Sequence, residues 1–291
     1  MPDRLLLRLD SDGGLSWLRT SAGARTPSVS TAGDPPASVL AAGSEIVVLV
    51  PSEDVLLTDV RLSARNRAQL LQALPFAIED QLLGAIEDQH FAAATGNGDS
   101  VGAAVVAKAT MTKWLDHLAT ANITPDVLIP ETLALPADAE AVNVMIDGNR
   151  AIVRLAPWSA FACSLSEFPH WLEQANGDAT LAPLVVHDFR AAPALVLPLK
   201  SSSYHERQSD PLVHLAAGLA QPALNLLDGE FATRHRHARG ARRWRLAAML
   251  AAAVLVLAVA NLGFDVMRLS RASARMDVLA QEAVAKAFPD I

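Results

Sequence analysis

Two aspartate–glycine turns carry the residues best suited to chemistry in this chain of 291 residues. The sequence DSDGG, from Asp10 to Gly14, follows one apolar segment, and Asp147 with Gly148 follows another. Paired turns of this kind can bind nucleotide phosphates and magnesium through carboxylates and backbone amides. The second turn continues with bulky Arg150, where a phosphate would need close approach to the backbone. Because Asp–Gly turns are also common hairpin connections, the sequence favours turns that serve the fold, with nucleotide binding as the alternative.

No other combination of residues in the sequence predicts catalysis or a bound cofactor. The eight histidines lack the spacing of metal ligands, and we expect His187 to be a core residue. Cys163 is the only cysteine and lies in a predicted strand, so we expect a buried, unreactive thiol. Neither G-x-S-x-G nor G-x-x-x-x-G-K-[ST] occurs, which argues against a hydrolase nucleophile and a nucleotide-binding P-loop. We therefore predict no catalytic residues, no cofactor and no metal.

Two pairs of acidic residues, Glu79 with Asp80 and Glu87 with Asp88, stand at the end of a predicted helix and just beyond it. Neighbouring side chains on a helix point in different directions, so these pairs fit a solvated or partner-facing edge better than a metal site. Exposed carboxylates on an acidic body attract and orient basic partners. We therefore predict that Glu79 and Asp80 face a protein partner.

The elements that must position these residues alternate between strands and helices. Apolar runs and period-two patterns predict a strand at residues 5–10 and a second that follows the turn at 12–14 and runs through Trp17. They predict further strands at residues 45–50, 55–62, 90–94, 101–107, 127–129, 142–146, 151–155, 161–165 and 184–187. Three- to four-residue spacing predicts helices at 63–82, 110–121, 166–175 and 211–219. Ser63 is expected to cap the first helix and Pro75 to kink or reset it, and residues 21–43 are expected to form a loop or loose hairpin. This alternation predicts an α/β body with two related lobes.

Charge separates this body from the rest of the chain. Residues 1–233 carry 14 Lys/Arg against 27 Asp/Glu, whereas residues 234–245 carry six arginines and no acid. Residues 246–264 contain no charged side chain, and residues 265–291 hold four charges of each sign. Because the acidic body would repel a polyanion, we expect no nucleic-acid partner in spite of the arginine cluster.

The uncharged segment from Leu246 to Phe264 predicts a transmembrane helix. Nineteen residues of helix span roughly 28 Å, close to the hydrocarbon thickness of a bilayer. Trp244 suits the membrane interface just before this span. The first ten residues lack the pattern of a secretory signal peptide. We therefore expect a single-pass protein whose anchor, bounded by Leu246 and Phe264, is its own insertion signal.

The basic segment before the span sets the expected orientation. Six arginines precede the span and three follow it, which places the N-terminal side in the cytoplasm. Arginines beside a membrane also contact anionic lipid headgroups. The residues that we expect to fix topology and face lipid are Arg239, Arg242, Arg243 and Arg245.

The residues after the span predict a helix that pairs with another chain. Val266, Leu269 and Met276 belong to a series at alternating three- and four-residue steps, which is typical of a coiled-coil seam. Three alanines and one serine among its seven positions make the seam weak. An unpaired helical stalk is the alternative, because the series is shorter than the usual three to four heptads.

Two motifs give the chain a resemblance to a known family. The sequence LPFAIEDQL at residues 74–82, followed by HFA at 90–92, resembles a signature of the type II secretion system inner-membrane protein L family. The sequence LNLLDGEF at 224–231 resembles the motif of that family before its membrane span. Residues 214–220, HLAAGLA, are similar to a stretch of the related actin-like pilus assembly protein M.

The resemblance implies a two-lobed actin-like, RNase-H-like fold that serves as a docking platform and not as an ATPase. It implies as partners the N-terminal domain of the secretion ATPase (protein E), inner-membrane protein M, a second copy in a homodimer, and inner-membrane lipids. The alternative is a membrane-anchored, actin-like nucleotide-binding ATPase. A membrane-anchored receptor is a weaker alternative, because no enzymatic or DNA-binding output domain is evident.

The expected organisation combines the charge pattern with the resemblance. The expected segments are lobe 1 at 1–97, lobe 2 at 98–232, the basic collar at 233–245, the transmembrane helix at 246–264 and the start of a helical periplasmic region at 265–291. The family normally continues into a periplasmic domain of about a hundred residues, an ordinary size for a small domain. We expect that domain beyond Ile291.

Overall fold

The computed structural model describes residues 3–20, 29–42, 44–62, 67–82, 84–94, 100–138, 140–175, 182–191, 203–206, 210–219 and 224–232. The chain divides into two compact units, Met1–His235 and Arg236–Ile291, and all described residues belong to the first. The predicted transmembrane helix and tail therefore lie outside the described residues. Within the described part, no helix is long and apolar enough to cross a membrane.

Thirteen strands and five helices make up the described part of the first unit. The strands are β1 (Arg4–Leu9), β2 (Leu15–Thr20), β3 (Thr31–Ala32), β4 (Glu45–Val50), β5 (Val55–Val60), β6 (Gln89–Ala93), β7 (Val101–Ala107), β8 (Val127–Pro130), β9 (Val142–Asp147), β10 (Arg150–Ala156), β11 (Ser159–Ser164), β12 (Leu184–Asp188) and β13 (Ser203–Glu206). The helices are α1 (Ala37–Leu40), α2 (Arg67–Ala77), α3 (Lys108–Thr120), α4 (Phe168–Ala175) and α5 (Pro211–Gly218).

Two five-stranded sheets repeat one topology. The first has the order β3-β2-β1-β4-β8 and the second β11-β10-β9-β12-β13. In each, the first three strands along the chain form an antiparallel meander, and the last two strands pair in parallel, beginning against the first strand of that meander. The prediction of an α/β protein built from two related halves is confirmed, because the two sheets repeat one strand order.

A three-stranded antiparallel sheet, β5-β7-β6, lies in the chain between β4 and β8. Leu70, Leu74 and Ile78, from α2 and the residue just after it, pack on one face of this sheet with Val60 and Val105. The opposite face contributes side chains to the core of the first five-stranded sheet. This sheet is thus covered on both faces.

The central strand β1 shows why the cores form where they do. All six of its residues are buried. Side chains alternate across a strand, so Leu5 and Leu7 enter one core and Leu6 enters another, which also contains Met145 and Ile152 of the second sheet. Burial of apolar side chains on both faces stabilises the strand, because each Å² of apolar surface removed from water contributes ~25 cal/mol.

The observed elements differ from the predicted ones in a few places. The expected loop at 21–43 contains the two-residue strand β3 and the single-turn helix α1. Strand β13 is not predicted by the sequence pattern, because SYHE has little apolar character. Ser63 lies outside the described residues, and α2 ends at Ala77, two residues after Pro75, followed by a 3-10 turn at Glu79–Gln81.

The predicted lobe boundary at residues 97/98 lies between β6 and β7. These two strands pair with each other along their length. Along the chain, β8 is the last strand of the first five-stranded sheet and β9 is the first strand of the second.

Candidate functional site

The two aspartate–glycine turns occupy corresponding positions in the two five-stranded sheets. The first joins β1 to β2, where the backbone amide of Asp10 donates to the carbonyl of Gly14 at 2.8 Å. The second joins β9 to β10, and Gly148 there has a φ of 56°, a conformation that glycine adopts without strain. Both therefore act as hairpin turns, as the sequence predicts.

Arg8 connects the two turns. Its Nη1 donates to Asp147 Oδ2 at 2.5 Å, and its Nε donates to Glu131 Oε2 at 2.9 Å. Asp10 Oδ1 lies 3.8 Å from the same Nε. The Arg8 side chain is only 6% exposed and that of Glu131 is fully buried, so the centre of this ion-pair network is buried.

Arg150 completes the network from the other side. Its Nε and Nη2 donate to the two carboxylate oxygens of Glu53, at 2.5 and 2.6 Å. Its Nη2 also donates to Glu131 Oε1. Each oxygen of Glu131 is thus paired with a different arginine, and Glu131 becomes the centre of the network.

The pKa shifts follow from burial opposed by charge. Burial by itself lowers the pKa of Arg8, but Glu131 and Asp147 outweigh burial and the net shift is upward. The pKa of Arg150 is also raised, because Glu53 and Glu131 outweigh its desolvation. Burial raises the pKa of Asp10, and Arg8 only partly offsets this. Both arginines therefore stay charged.

This arrangement is poorly suited to binding a nucleotide. Two arginines face the four carboxylates of Asp10, Glu53, Glu131 and Asp147, so the fully ionised network carries a net charge of −2. Its carboxylates already pair with arginine, and an added phosphate would meet excess negative charge. In the part of the chain that the structure describes, no group of three or more His, Cys, Asp or Glu could hold a metal ion.

The two family-like motifs of the sequence meet in the structure. His90 Nε2 donates to the carbonyl of Leu226 at 2.7 Å, and its ring makes an edge contact with Phe231. Arg67, at the start of α2, donates to Asp228. Residues 224–231 are thereby held against α2 and β6.

Glu79 and Asp80 lie on the 3-10 turn after α2, and both are exposed. Among the described residues, neither forms an ion pair. The structure thus leaves them available to solvent, and their role in partner binding stays a prediction.

Three histidines from neighbouring elements meet at one end of the second sheet. His187 on β12 stacks on His205 of β13 and contacts His214 of α5, with ring centroids 5.4 and 4.4 Å apart. His187 is buried as predicted. Cys163 is also buried, and burial raises its pKa to about 11, which makes its thiol unreactive.

The remaining predicted site residues lie outside the described residues. These are the membrane-anchor residues, the lipid-facing arginines and the helix-pairing residues: Trp244, Leu246, Phe264, Arg239, Arg242, Arg243, Arg245, Val266, Leu269 and Met276.

Arg8 and Glu131, at the centre of the network, were not among the predicted site residues. Glu131 follows the apolar strand β8 and Arg8 interrupts the apolar run of β1. A charged residue within a buried strand needs a partner of opposite charge, and this signal could have pointed to Arg8. Its partners are 123 and 139 residues away, so their identity depends on the fold.

A sequence model of the type II secretion system protein L family matches residues 11–234. Type II secretion system protein L of Klebsiella pneumoniae is 29% identical over 265 residues, which cover 88% of this chain and 63% of that protein. The protein of the same name from Dickeya chrysanthemi is 29% identical over 264 residues, covering 87% and 63%. The chain thus spans less than two thirds of the length of these relatives.

Among solved structures, the chain is similar to the cytoplasmic domain of EpsL, an inner-membrane component of the type II secretion system of Vibrio cholerae. The TM-score is 0.62 at 22% identity, and the match covers 79% of this chain and 99% of that domain. At this identity the likeness shows a shared fold.

Proposed function

Because the chain belongs to the type II secretion system protein L family, we propose that it is an inner-membrane scaffold of such a system. In this proposal its α/β body docks the cytoplasmic secretion ATPase and links it to the periplasmic pseudopilus machinery. The hydrophobic segment 246–264 anchors the chain once across the membrane, with the N-terminus in the cytoplasm. Inner-membrane protein M, a second copy of the chain and anionic lipids are the further proposed partners.

The ion-pair network around Glu131 is the observation that favours a scaffold function over the alternative of an ATPase. Arg8 pairs with Asp147 of one turn and lies 3.8 Å from Asp10 of the other, and these are the two carboxylates that nucleotide binding would need for magnesium. Replacing that network with a ligand would require Arg8 and Asp147 to separate and would leave buried charges unpaired. The turns then serve the fold, and the body acts through its surface.

Calorimetric titration of the full chain with Mg-ATP, in detergent or nanodiscs, tests this proposal. We expect no saturable binding and no hydrolysis. Micromolar binding that is abolished by Asp10→Ala or Asp147→Ala would instead favour the alternative, a membrane-anchored actin-like ATPase.

Co-purification of the full chain with the secretion ATPase tests the docking function. We expect a complex that survives size-exclusion chromatography and depends on the N-terminal domain of the ATPase. Equal recovery of an ATPase lacking that domain would contradict the proposed contact.

A further inference from the structure

Helix α2 leaves a large aromatic side chain in solvent. Leu70 and Leu74 are buried against the three-stranded sheet, whereas Phe76 is 72% exposed, the largest exposed fraction among the large apolar side chains of the described residues. Exposing a phenylalanine forgoes about 1.5–3 kcal/mol of burial. Such a side chain on an ordered helix end is typical of a contact residue.

Acidic side chains follow Phe76 on two consecutive 3-10 turns. Glu79 and Asp80 are exposed on the first turn, and Glu87 and Asp88 are exposed on the second. We call these five exposed side chains, Phe76, Glu79, Asp80, Glu87 and Asp88, the Phe76 surface.

The carboxylates of the Phe76 surface have no basic counterpart among the described residues. Residues 68–107 contain five acids and no lysine or arginine. Among the described residues, none of the four carboxylates forms an ion pair, whereas nearby Asp228 pairs with Arg67 and Glu230 with Lys108. The negative charge of this surface is therefore uncompensated within the described chain.

This charge decides which occupant fits. A second copy placed with the same surface against it would oppose four carboxylates to four, and an anionic membrane would be repelled in the same way. A folded protein domain with a basic rim and an apolar pocket fits both features, because an aromatic anchor inside a charged rim is a common form of binding hot spot.

We propose that the Phe76 surface is the docking site for a basic protein domain, with Phe76 inserted into an apolar pocket and the four carboxylates facing its lysines and arginines. This inference rests on the proposed function, since the secretion ATPase is the partner used to test it. It adds to that function the surface and the chemistry of recognition.

The test measures binding of the purified secretion ATPase to the full chain in nanodiscs of zwitterionic lipid. Phe76→Ser should weaken binding at least about tenfold, mainly through a faster dissociation rate, as expected for an aromatic hot spot. Glu79→Lys with Asp80→Lys should slow association and reduce its dependence on salt between about 50 and about 300 mM, a range over which exposed charges become screened.

Matched controls separate this surface from general effects. Val29→Ser removes another exposed apolar side chain, 68% exposed, and Asp116→Lys with Glu173→Lys reverses two exposed charges on α3 and α4. Both controls should bind like the unmodified chain. Circular dichroism of each variant should match that of the unmodified chain.

The outcomes distinguish this inference from the proposed function. If the unmodified chain does not bind the ATPase, the docking function fails. If it binds and the Phe76 and charge-reversal variants bind equally well, the docking function stands and the Phe76 surface is not its site. Loss of binding in the control variants to the same degree would also overturn the inference.

Discussion

At the scale of single residues, the chain's internal electrostatics centre on Glu131. A fully buried carboxylate is costly unless it is paired, and Glu131 is paired on both oxygens, with Arg8 and Arg150. Removing its charge leaves two largely buried guanidinium groups with one partner fewer each. The loss of folding free energy comes mainly from the unpaired charges, and it exceeds the stabilisation that the ion pair itself provides.

We predict that Glu131→Gln lowers the free energy of unfolding by ~3–5 kcal/mol, the usual cost of breaking a buried ion pair. Urea unfolding of the full chain in detergent, followed by tryptophan fluorescence, measures this. The matched control is Glu230→Gln, which removes the exposed ion pair with Lys108 at 3.2 Å and should cost less than ~1 kcal/mol. Equal losses in the two variants would contradict a buried network.

His90 should make stability depend on pH. Burial lowers its pKa from the usual 6.5, and its contact with the carbonyl of Leu226 only partly opposes this. As the pH falls below 6.5, His90 therefore becomes protonated in the unfolded chain before it does in the folded chain. The stability contribution of neutral His90 is therefore present above pH 6.5 and is lost as the pH falls below it.

Urea unfolding at a series of pH values tests the His90 prediction. His90→Gln should flatten the loss of stability below pH 6.5, whereas His117→Gln, at an exposed position on α3, serves as the control. A pH profile for His90→Gln parallel to that of the unmodified chain would show that His90 is not responsible.

At the scale of elements, the three-stranded sheet is joined to the second five-stranded sheet by a close contact. Gly102 on β7 lies under the ring of Trp158, in the turn between β10 and β11, so that a Cβ added at Gly102 would stand 2.0 Å from the ring. Strand β5 of the same sheet also packs beside β11. The absence of a side chain at Gly102 permits this approach.

We predict that Gly102→Ala destabilises the chain by ~1–3 kcal/mol, the usual cost of overpacking. Adding Trp158→Leu should recover part of this loss, because it removes the ring that the new Cβ meets. Thermal unfolding of the single and double variants measures the coupling. Gly84→Ala is the control, since its Cβ would meet only the amide end of Gln89 at 3.3 Å, and an equal loss there would refute the contact.

At the scale of the whole molecule, the proposed scaffold combines an acidic body with a basic collar and an apolar span. Residues 1–233 have 13 more acids than bases, and residues 234–245 have six bases and no acid. In that proposal, the collar contacts anionic lipid and the acidic body attracts basic proteins. This separation of charge along the chain suits a protein that recruits others to a membrane.

Pairing between chains after the span is tested by cysteine cross-linking in membranes. With Cys163 replaced by alanine, single cysteines at Leu269 and Met276 should cross-link between chains, because both lie on the predicted seam. Arg271→Cys, which is off the seam, should cross-link poorly. Equal cross-linking at the three positions would mean that no defined seam exists.

Most of the elements and the charge pattern of this protein follow from local sequence. Local periodicity was sufficient to predict β1, β4 and the hairpin of β9 and β10. A strand buried on one face has alternating apolar residues, and a strand buried on both faces has a continuous apolar run. The short β3 and the polar edge strand β13 show no such repeat. Strand β13 is recognised only by its pairing with β12. Turn chemistry likewise identified Asp10 and Asp147 as turn residues.

The role of those turns depends on contacts between distant segments. Arg8 lies on β1, Arg150 on β10 and Glu131 in the turn after β8. Arg8 meets Glu131 and Asp147, which are 123 and 139 residues away in sequence, only because the two sheets approach each other. The exposure of Phe76 was equally hidden, because the helical pattern around Leu74 gave no sign of which side chains the three-stranded sheet would cover. Local patterns record which residues prefer burial, whereas contacts between distant segments determine which charges are paired and which surfaces remain open.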